Sequence, residues 1–67
     1  MERLRNSLKD ARATRGLTQQ ELADEVGVSR KTINTIENGV FVPSTLLALK
    51  LAAAFGTSVE RLFAIER

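Results

Sequence analysis

The stretch TQQELADEVGVSRKTINTIENG, residues 18–39, decides the fold of this chain. Leu22 and Val26 lie four residues apart before the central glycine, Gly27, and two isoleucines three residues apart follow it. Residues at these separations share one face of a helix. Gly27 can adopt the positive φ that ends a helix and turns the chain. The spacing therefore predicts two short helices joined by a tight turn at Gly27.

Helix-capping residues precede both predicted helices. Thr18 and Glu21 have the spacing of a capping box, in which each side chain accepts a hydrogen bond from the backbone N–H of the other residue. Ser29 is a good N-cap for the second helix, and Ala23 is small enough to let the two helices cross closely. Two helices that meet at a steep angle through a short glycine-containing turn form a helix-turn-helix unit.

The second of these helices has one face without apolar or acidic residues. A rotation of 100° per residue places Ile33 and Ile36 together on the inner side. On the outer side, Arg and Lys suit guanine, Asn suits adenine and the Thr methyl suits the thymine methyl in the major groove of DNA. The residues that we predict to read bases in this way are Arg30, Lys31, Asn34 and Thr35.

Most of the chain resembles the Cro/Xre-type family of phage and bacterial repressors. The resemblance rests on LTQQELA, GVSRKTI, IENG and VPS, and it covers residues 5–63. Within the family the chain is similar to short stand-alone repressors of the cytolysin-regulator kind, through SR-x-TIN-x-IE, LALK and a hydrophobic ending after LF. The resemblance implies an all-α fold, a compact five-helix lambda-repressor-like domain whose helix-turn-helix is formed by helices 2 and 3.

The resemblance also implies contacts with the DNA backbone and one structural ion pair. The ion pair joins Arg12 to Glu37; the alternative is that both are surface charges. Gln19 resembles a family glutamine that touches phosphate and braces the recognition helix, and a helix N-terminus is in any case a natural anion site. For Ser44 and Thr45 the alternative is plain helix capping. The predicted backbone contacts are Thr18, Gln19, Ser29, Asn38, Ser44 and Thr45, with Arg15 as an additional candidate.

Length and composition set limits on the class of protein. A chain of 67 residues with 43% apolar residues predicts one globular domain over residues 1–67. It has no Cys and no His, so the usual nucleophile–base pairs and metal-ligand clusters are missing, and we predict no enzyme activity, no cofactor and no metal site. The net charge is only +2. The Lys and Arg residues of the chain form either an ordinary solvated surface or, beside the predicted helix-turn-helix, a basic face on one side of the molecule.

The remaining elements follow from apolar spacing and caps. Helix 1 is predicted over residues 4–15, helix 4 over Thr45–Phe55 and helix 5 over Ser58–Phe63, with a capping box from Thr57 to Glu60. The cytolysin-type repressors pair their chain ends as strands. The resemblance thus implies short terminal strands here, at residues 2–4 and 64–66.

Apolar side chains near the C-terminus exceed the needs of so small a core. We interpret the surplus as a homodimer interface; the alternative is a well-filled monomer core with a few exposed apolar residues. A two-fold dimer doubles the contacts that one short helix can make, over half-sites about 34 Å apart. The predicted interface residues are Leu46, Leu49, Ala53, Leu62, Phe63 and Ile65.

These observations predict a cytoplasmic, sequence-specific regulator of transcription. It would bind a palindromic double-stranded operator as a homodimer and act as a repressor, without a membrane segment and without a small-molecule effector. The alternative is a protein-interaction module on the same scaffold, an antitoxin or an adaptor, that uses its apolar C-terminal surface.

Overall fold

The computed structural model describes residues 2–66, which form a small sheet and five helices. In chain order the elements are β1 (Arg3–Asn6), α1 (Leu8–Arg15), α2 (Gln19–Val26), α3 (Arg30–Glu37), α4 (Thr45–Ala54), α5 (Val59–Leu62) and β2 (Phe63–Glu66). No helix within residues 2–66 has both the length and the apolar character that a bilayer crossing needs. The fold is mostly helical and has the five predicted helices, but it is not purely all-α, because a strand lies near each end of the described chain.

The sheet is antiparallel and pairs β1 with β2. Its register matches Arg3 with Glu66 at one end and Asn6 with Phe63 at the other. The resemblance implied such terminal strands, and the structure extends the first of them from residue 4 to residue 6 and begins the second at residue 63.

The first helix begins at Leu8, four positions later than the sequence predicted. Asn6 explains the difference, since its Oδ1 accepts a hydrogen bond from the Leu8 N–H at 3.1 Å and its Nδ2 donates to the Ile36 carbonyl at 2.9 Å. The Ser7 N–H donates to the Leu62 carbonyl at 3.0 Å. The contacts of Asn6 with Ile36 and of Ser7 with Leu62 hold the segment before Leu8 in the sheet rather than in the helix.

Local capping sets the ends of α2 and α3 as the spacing predicted. The Thr18 hydroxyl accepts from the Glu21 N–H at 3.0 Å, and the Glu21 carboxylate accepts from the Thr18 N–H at 2.9 Å. Gly27 has a φ of 76° and ends α2 in the left-handed region. The Ser29 hydroxyl accepts from the Thr32 N–H at 3.2 Å and begins α3. The predicted pair of helices with a turn at Gly27 is therefore confirmed.

Later in the chain, both predicted helices are longer than the observed ones, at one end of α4 and at both ends of α5. Helix α4 ends at Ala54 instead of Phe55. Helix α5 is a single turn that is capped by Ser58, whose hydroxyl accepts from the Arg61 N–H at 3.3 Å, and the predicted capping box from Thr57 does not form.

The hydrophobic core lies between α2, α3 and α4, with α1, α5 and β2 packed around it. Its largest fully buried side chains are Leu8, Leu22, Ile33, Ile36 and Leu51. Leu62 and Phe63 are also core residues, with 2% and 7% of their surface exposed, because the turn from α5 into β2 directs them inward. Their part in a dimer interface stays a prediction, although most of their surface is already buried within one chain. The other four predicted interface residues, Leu46, Leu49, Ala53 and Ile65, are exposed.

Candidate nucleic-acid interface

The outer face of α3 carries polar side chains, and the inner face of the same helix is apolar and buried. Ile33 and Ile36 are buried beneath it. Of the four residues predicted to read bases, Arg30, Lys31 and Asn34 are exposed. Thr35 is half-buried, and its hydroxyl donates to the Thr32 carbonyl at 3.0 Å. The face therefore offers two cations and an amide to a partner from a helix that packing holds in place.

Gln19, the first residue of α2, contacts α3 at two points. Its Nε2 donates to Oδ1 of Asn34 at 3.1 Å and to Oε1 of Glu37 at 3.0 Å. Both N–H groups of its amide are thus used inside the protein. The backbone N–H of Gln19 begins a helix and has no intrahelical acceptor, so it is the donor of this residue that is available to a phosphate.

The ion pair between Arg12 and Glu37 is present and lies beneath this contact. Arg12 Nε donates to Glu37 Oε2 at 2.8 Å, and Arg12 Nη2 approaches Oε1 at 3.3 Å. Arg12 Nη1 also donates to the Leu17 carbonyl at 2.8 Å. The side chains are 16% and 3% exposed. The hydrogen bond to Glu37 raises the pKa of Arg12 above its ordinary value, so the charged pair is stable.

Hydroxyl groups at the helix starts serve first as caps. The Ser29 hydroxyl shares a hydrogen bond of 2.9 Å with the Thr32 hydroxyl, and the Ser44 hydroxyl accepts from the Leu47 N–H at 3.1 Å. The remaining predicted backbone contacts, Asn38 and Thr45, are exposed at the end of α3 and the start of α4. Contact of these groups with phosphate stays a prediction.

Arg15 lies apart from this surface. Its Nη1 donates to Glu25 Oε2 at 2.8 Å and to the Ala54 carbonyl at 3.0 Å, and its guanidinium lies 5.9 Å from the centre of the Phe55 ring. These partners lie near the C-terminal ends of α2 and α4, whereas Gln19 and the base-reading candidates lie at the N-terminal end of α2 and on α3. The hydrogen bond from Arg15 lowers the pKa of Glu25. The structure thus does not bring Arg15 together with the other candidates.

Two cations near the end of α3 are not among the predicted contact residues. Arg3 and Arg5 of β1 line a shallow groove of about 230 Å³ together with Asn38 and Gly39. Both arginines are exposed, although Arg5 Nη1 lies 4.0 Å from Glu66 Oε2. The alternation of Arg3, Leu4, Arg5 and Asn6 is the signal of a strand edge, and assigning residue 4 to a helix concealed it.

Comparison with known proteins identifies the family. The helix-turn-helix family model HTH_3 matches residues 8–62 of the chain. The chain belongs to the Cro/Xre-type helix-turn-helix transcriptional regulators. Two curated relatives of this family match over 63 residues. One, at 44% identity, is the uncharacterised regulator YgzD of Bacillus subtilis, with 94% of this chain and 96% of YgzD covered. The other, at 48% identity with the same coverage, is the uncharacterised regulator MJ0272 of Methanocaldococcus jannaschii.

Solved structures of other regulators have similar folds to this helix-turn-helix protein. The restriction-modification controller protein C.AhdI of Aeromonas hydrophila is 31% identical with a TM-score of 0.75, over 81% of this chain and 82% of C.AhdI. The clp gene regulator ClgR of Corynebacterium glutamicum is 35% identical with a TM-score of 0.73, over 78% of this chain and 55% of ClgR. Helix-turn-helix regulators of this family bind DNA. Within residues 2–66, no group of acidic side chains is arranged to hold a metal ion.

Proposed function

We propose that this helix-turn-helix regulator is a repressor that binds a palindromic DNA operator as a homodimer. The α2–α3 pair is its helix-turn-helix unit and α3 its recognition helix. The observation that carries the proposal is the outer face of α3, where Arg30, Lys31 and Asn34 project from a helix whose isoleucines are buried. A helix with this surface matches the width of the major groove and the donors and acceptors there.

The contacts divide into two kinds on this proposal. Arg30, Lys31, Asn34 and Thr35 read bases. Backbone N–H and hydroxyl groups at helix starts, together with Asn38 at the end of α3, contact phosphates and position the protein, because contacts with phosphate carry no sequence information. The positioning residues are Thr18, Gln19, Ser29, Asn38, Ser44 and Thr45.

An exposed apolar surface supports the homodimer. Leu46, Leu49 and Ala53 lie on the outer side of α4, and Ile65 projects from the sheet. Leu49 also lines an apolar groove of about 380 Å³ between α4, α5 and the sheet. Apolar surface that stays exposed to water does not stabilise a monomer. A second copy of the chain would bury this surface and would also supply the second recognition helix.

Binding assays on DNA test the proposal. The full chain is used to select duplexes from a randomised library, and its affinity for the selected duplex is compared with that for a scrambled duplex at several salt concentrations. We expect preference for the selected sequence, a two-fold symmetric footprint and a steep loss of affinity with salt. Equal affinity for both duplexes, or no salt dependence, would contradict sequence-specific DNA binding.

A second candidate function follows from the loop between α3 and α4. Val40, Phe41 and Val42 are 78%, 47% and 68% exposed, which is a concentration of apolar surface beside the proposed DNA face. A protein-interaction module, such as an antitoxin or adaptor, would use surface of this kind. Self-association of the pure chain together with salt-dependent DNA binding supports the repressor, and a monomer without DNA affinity supports the interaction module.

The proposal also covers the domain organisation, the cellular location and the absence of catalysis. We propose that residues 1–67 act as one domain, that the protein acts in the cytoplasm, and that its role is binding rather than catalysis. Repression would then follow from occupation of the operator, which excludes the polymerase, and its control from the concentration of the repressor rather than from a small molecule.

A further inference from the structure

Three side chains form a relay of hydrogen bonds that ends at the proposed DNA face. One atom, Nε2 of Gln19, donates both to Glu37 Oε1 at 3.0 Å and to Asn34 Oδ1 at 3.1 Å. Glu37 in turn accepts from Arg12 through both of its oxygens. A carboxylate held by a guanidinium accepts hydrogen bonds and cannot donate them. The atom of Gln19 that faces Glu37 is therefore the nitrogen, and its orientation is fixed by charge.

The orientation of Gln19 determines that of Asn34. Because the Gln19 nitrogen is the atom next to Asn34, Asn34 must turn its oxygen toward it. The Nδ2 group of Asn34 is the end of the amide that this hydrogen bond leaves free. Asn34 is exposed, so this free end is a hydrogen-bond donor on the surface of α3.

We propose that Glu37, acting through Gln19, makes Asn34 select a keto edge in the major groove, the O6 of guanine or the O4 of thymine. The inference rests on the proposed function and assigns one base-pair specificity within it. An amide donor at the six-position of a purine favours guanine, because adenine presents its own N6 donor there. It equally favours thymine O4 over the cytosine N4 donor. This assignment replaces the pairing of Asn with adenine that residue type alone predicts.

The direction of the hydrogen bonds in the relay can be reversed by replacing one carboxylate oxygen of Glu37 with an amide nitrogen. In Glu37→Gln the new side-chain oxygen can keep the shorter contact, 2.8 Å, with Arg12 Nε, while the new amide nitrogen takes the place of Oε1 beside Gln19 and gives up the longer contact, 3.3 Å, with Arg12 Nη2. Gln19 must then turn its oxygen to this position, and Asn34 its nitrogen toward Gln19. The group that Asn34 presents to DNA becomes an acceptor, which favours adenine or cytosine at the same position on the same strand.

Selection from a randomised duplex library tests the relay with four variants of the full chain. Asn34→Ala first identifies the position that Asn34 reads, as the one whose base preference is lost. At that position we expect the wild-type chain to favour guanine or thymine by about fivefold, and Glu37→Gln to reverse the preference toward adenine or cytosine. Gln19→Met leaves the Arg12–Glu37 pair intact and should bring the preference close to unity. Gln20→Met is the matched control, because its amide donates to Asp24 Oδ1 at 2.9 Å and not to α3.

The outcomes separate the relay from the proposed function. A wild-type preference for adenine or cytosine at the Asn34-dependent position overturns the relay alone. So does an unchanged base preference in Gln19→Met, whether or not the affinity falls uniformly, since the Gln19 side chain would then not determine which group Asn34 presents to DNA. Gln19→Met therefore tests the relay even if Glu37→Gln does not fold. Circular dichroism would reveal a loss of folding in Glu37→Gln. Selection of no sequence by the wild-type chain overturns the proposed function as well.

Discussion

Arg12 and Glu37 join the first helix to the third through a hydrogen bond of 2.8 Å between Nε and Oε2. The pair lies directly beneath Gln19, whose amide contacts the same carboxylate. A charged pair in this position holds α3 against the helix that precedes the α2–α3 unit. It therefore connects the stability of the fold with the geometry of the proposed recognition surface.

Removal of the Arg12 side chain should destabilise the protein strongly. Arg12→Ala leaves the Glu37 carboxylate, 3% exposed, without its cation, and we expect a loss of about 3 kcal/mol in the free energy of unfolding. Urea denaturation followed by circular dichroism measures this. Arg15→Ala is the matched control, since it breaks an exposed ion pair with Glu25 and should have a much smaller effect. Equal losses in the two variants would contradict the structural role of Arg12.

The capping box of α2 predicts a pH-dependent contribution to stability. The pKa of Glu21 is lowered, chiefly because the Thr18 backbone N–H donates to its carboxylate. A group whose pKa is lower in the folded state stabilises the fold fully above its unfolded pKa, about 4.3, and loses this contribution as the pH falls through the folded pKa. Glu21→Gln keeps an acceptor without the titration. The stability advantage of the wild-type chain over this variant should therefore be present at pH 7 and disappear in acid.

Urea denaturation of both chains from pH 7 to pH 3 measures this advantage. Because Glu21 is the only carboxylate that differs between the two chains, the difference reports Glu21. An advantage that stays constant over the whole range would show that the charge of Glu21 does not contribute.

Lys31 should contribute to the choice of sequence. Lys31→Ala should reduce the discrimination between the selected and the scrambled duplex by about 1–3 kcal/mol and relax preference at one base pair. Fluorescence anisotropy with the two duplexes measures this. Lys50→Ala removes the same charge from α4, on the side of Arg15 and Glu25, and should leave the discrimination unchanged. Equal losses on both duplexes for Lys31→Ala would remove Lys31 from the base-reading residues.

Leu49 should matter for self-association. Leu49→Gln places a polar group in the apolar groove of the proposed interface and should shift the chain from dimer to monomer at micromolar concentration. Sedimentation equilibrium measures the dissociation constant. Val42→Gln, which also replaces an exposed apolar residue but in the α3–α4 loop, is the control and should leave it unchanged. If only the Val42 variant becomes monomeric, the interface lies at the loop instead.

Local signals made the α2–α3 pair predictable from sequence. The capping box at Thr18, the N-cap at Ser29 and the positive φ of Gly27 each depend on residues within a few positions of one another. The inward direction of Ile33 and Ile36 followed from helical periodicity in the same way.

Distant contacts account for the parts of the fold that were predicted wrongly. The start of α1 depends on hydrogen bonds from Ser7 to Leu62 and from Asn6 to Ile36, which no periodicity reveals. The same return of the chain buries Leu62 and Phe63, so apolar residues that looked like a surplus belong to the core.

The candidate site shows the same division between local and distant information. Residue types and helix geometry indicated which side chains of α3 point outward. The partners of Gln19 are 15 and 18 positions away, and the pairing of Arg15 with Glu25 spans 10 positions between two helices. Only the packed structure shows that the Gln19 amide donates to two residues of α3 and that Arg15 pairs with Glu25, away from the proposed DNA face.

The sheet has a consequence for the order in which the protein opens. Its strands lie about 60 positions apart in sequence, so their pairing closes the longest loop in the fold and gains few hydrogen bonds in return. The link from Asn6 to the Ile36 carbonyl extends this pairing to the last turn of α3. Backbone amides of β1, β2 and that turn should therefore exchange with deuterium together and before those of α2, as one unit that unfolds first.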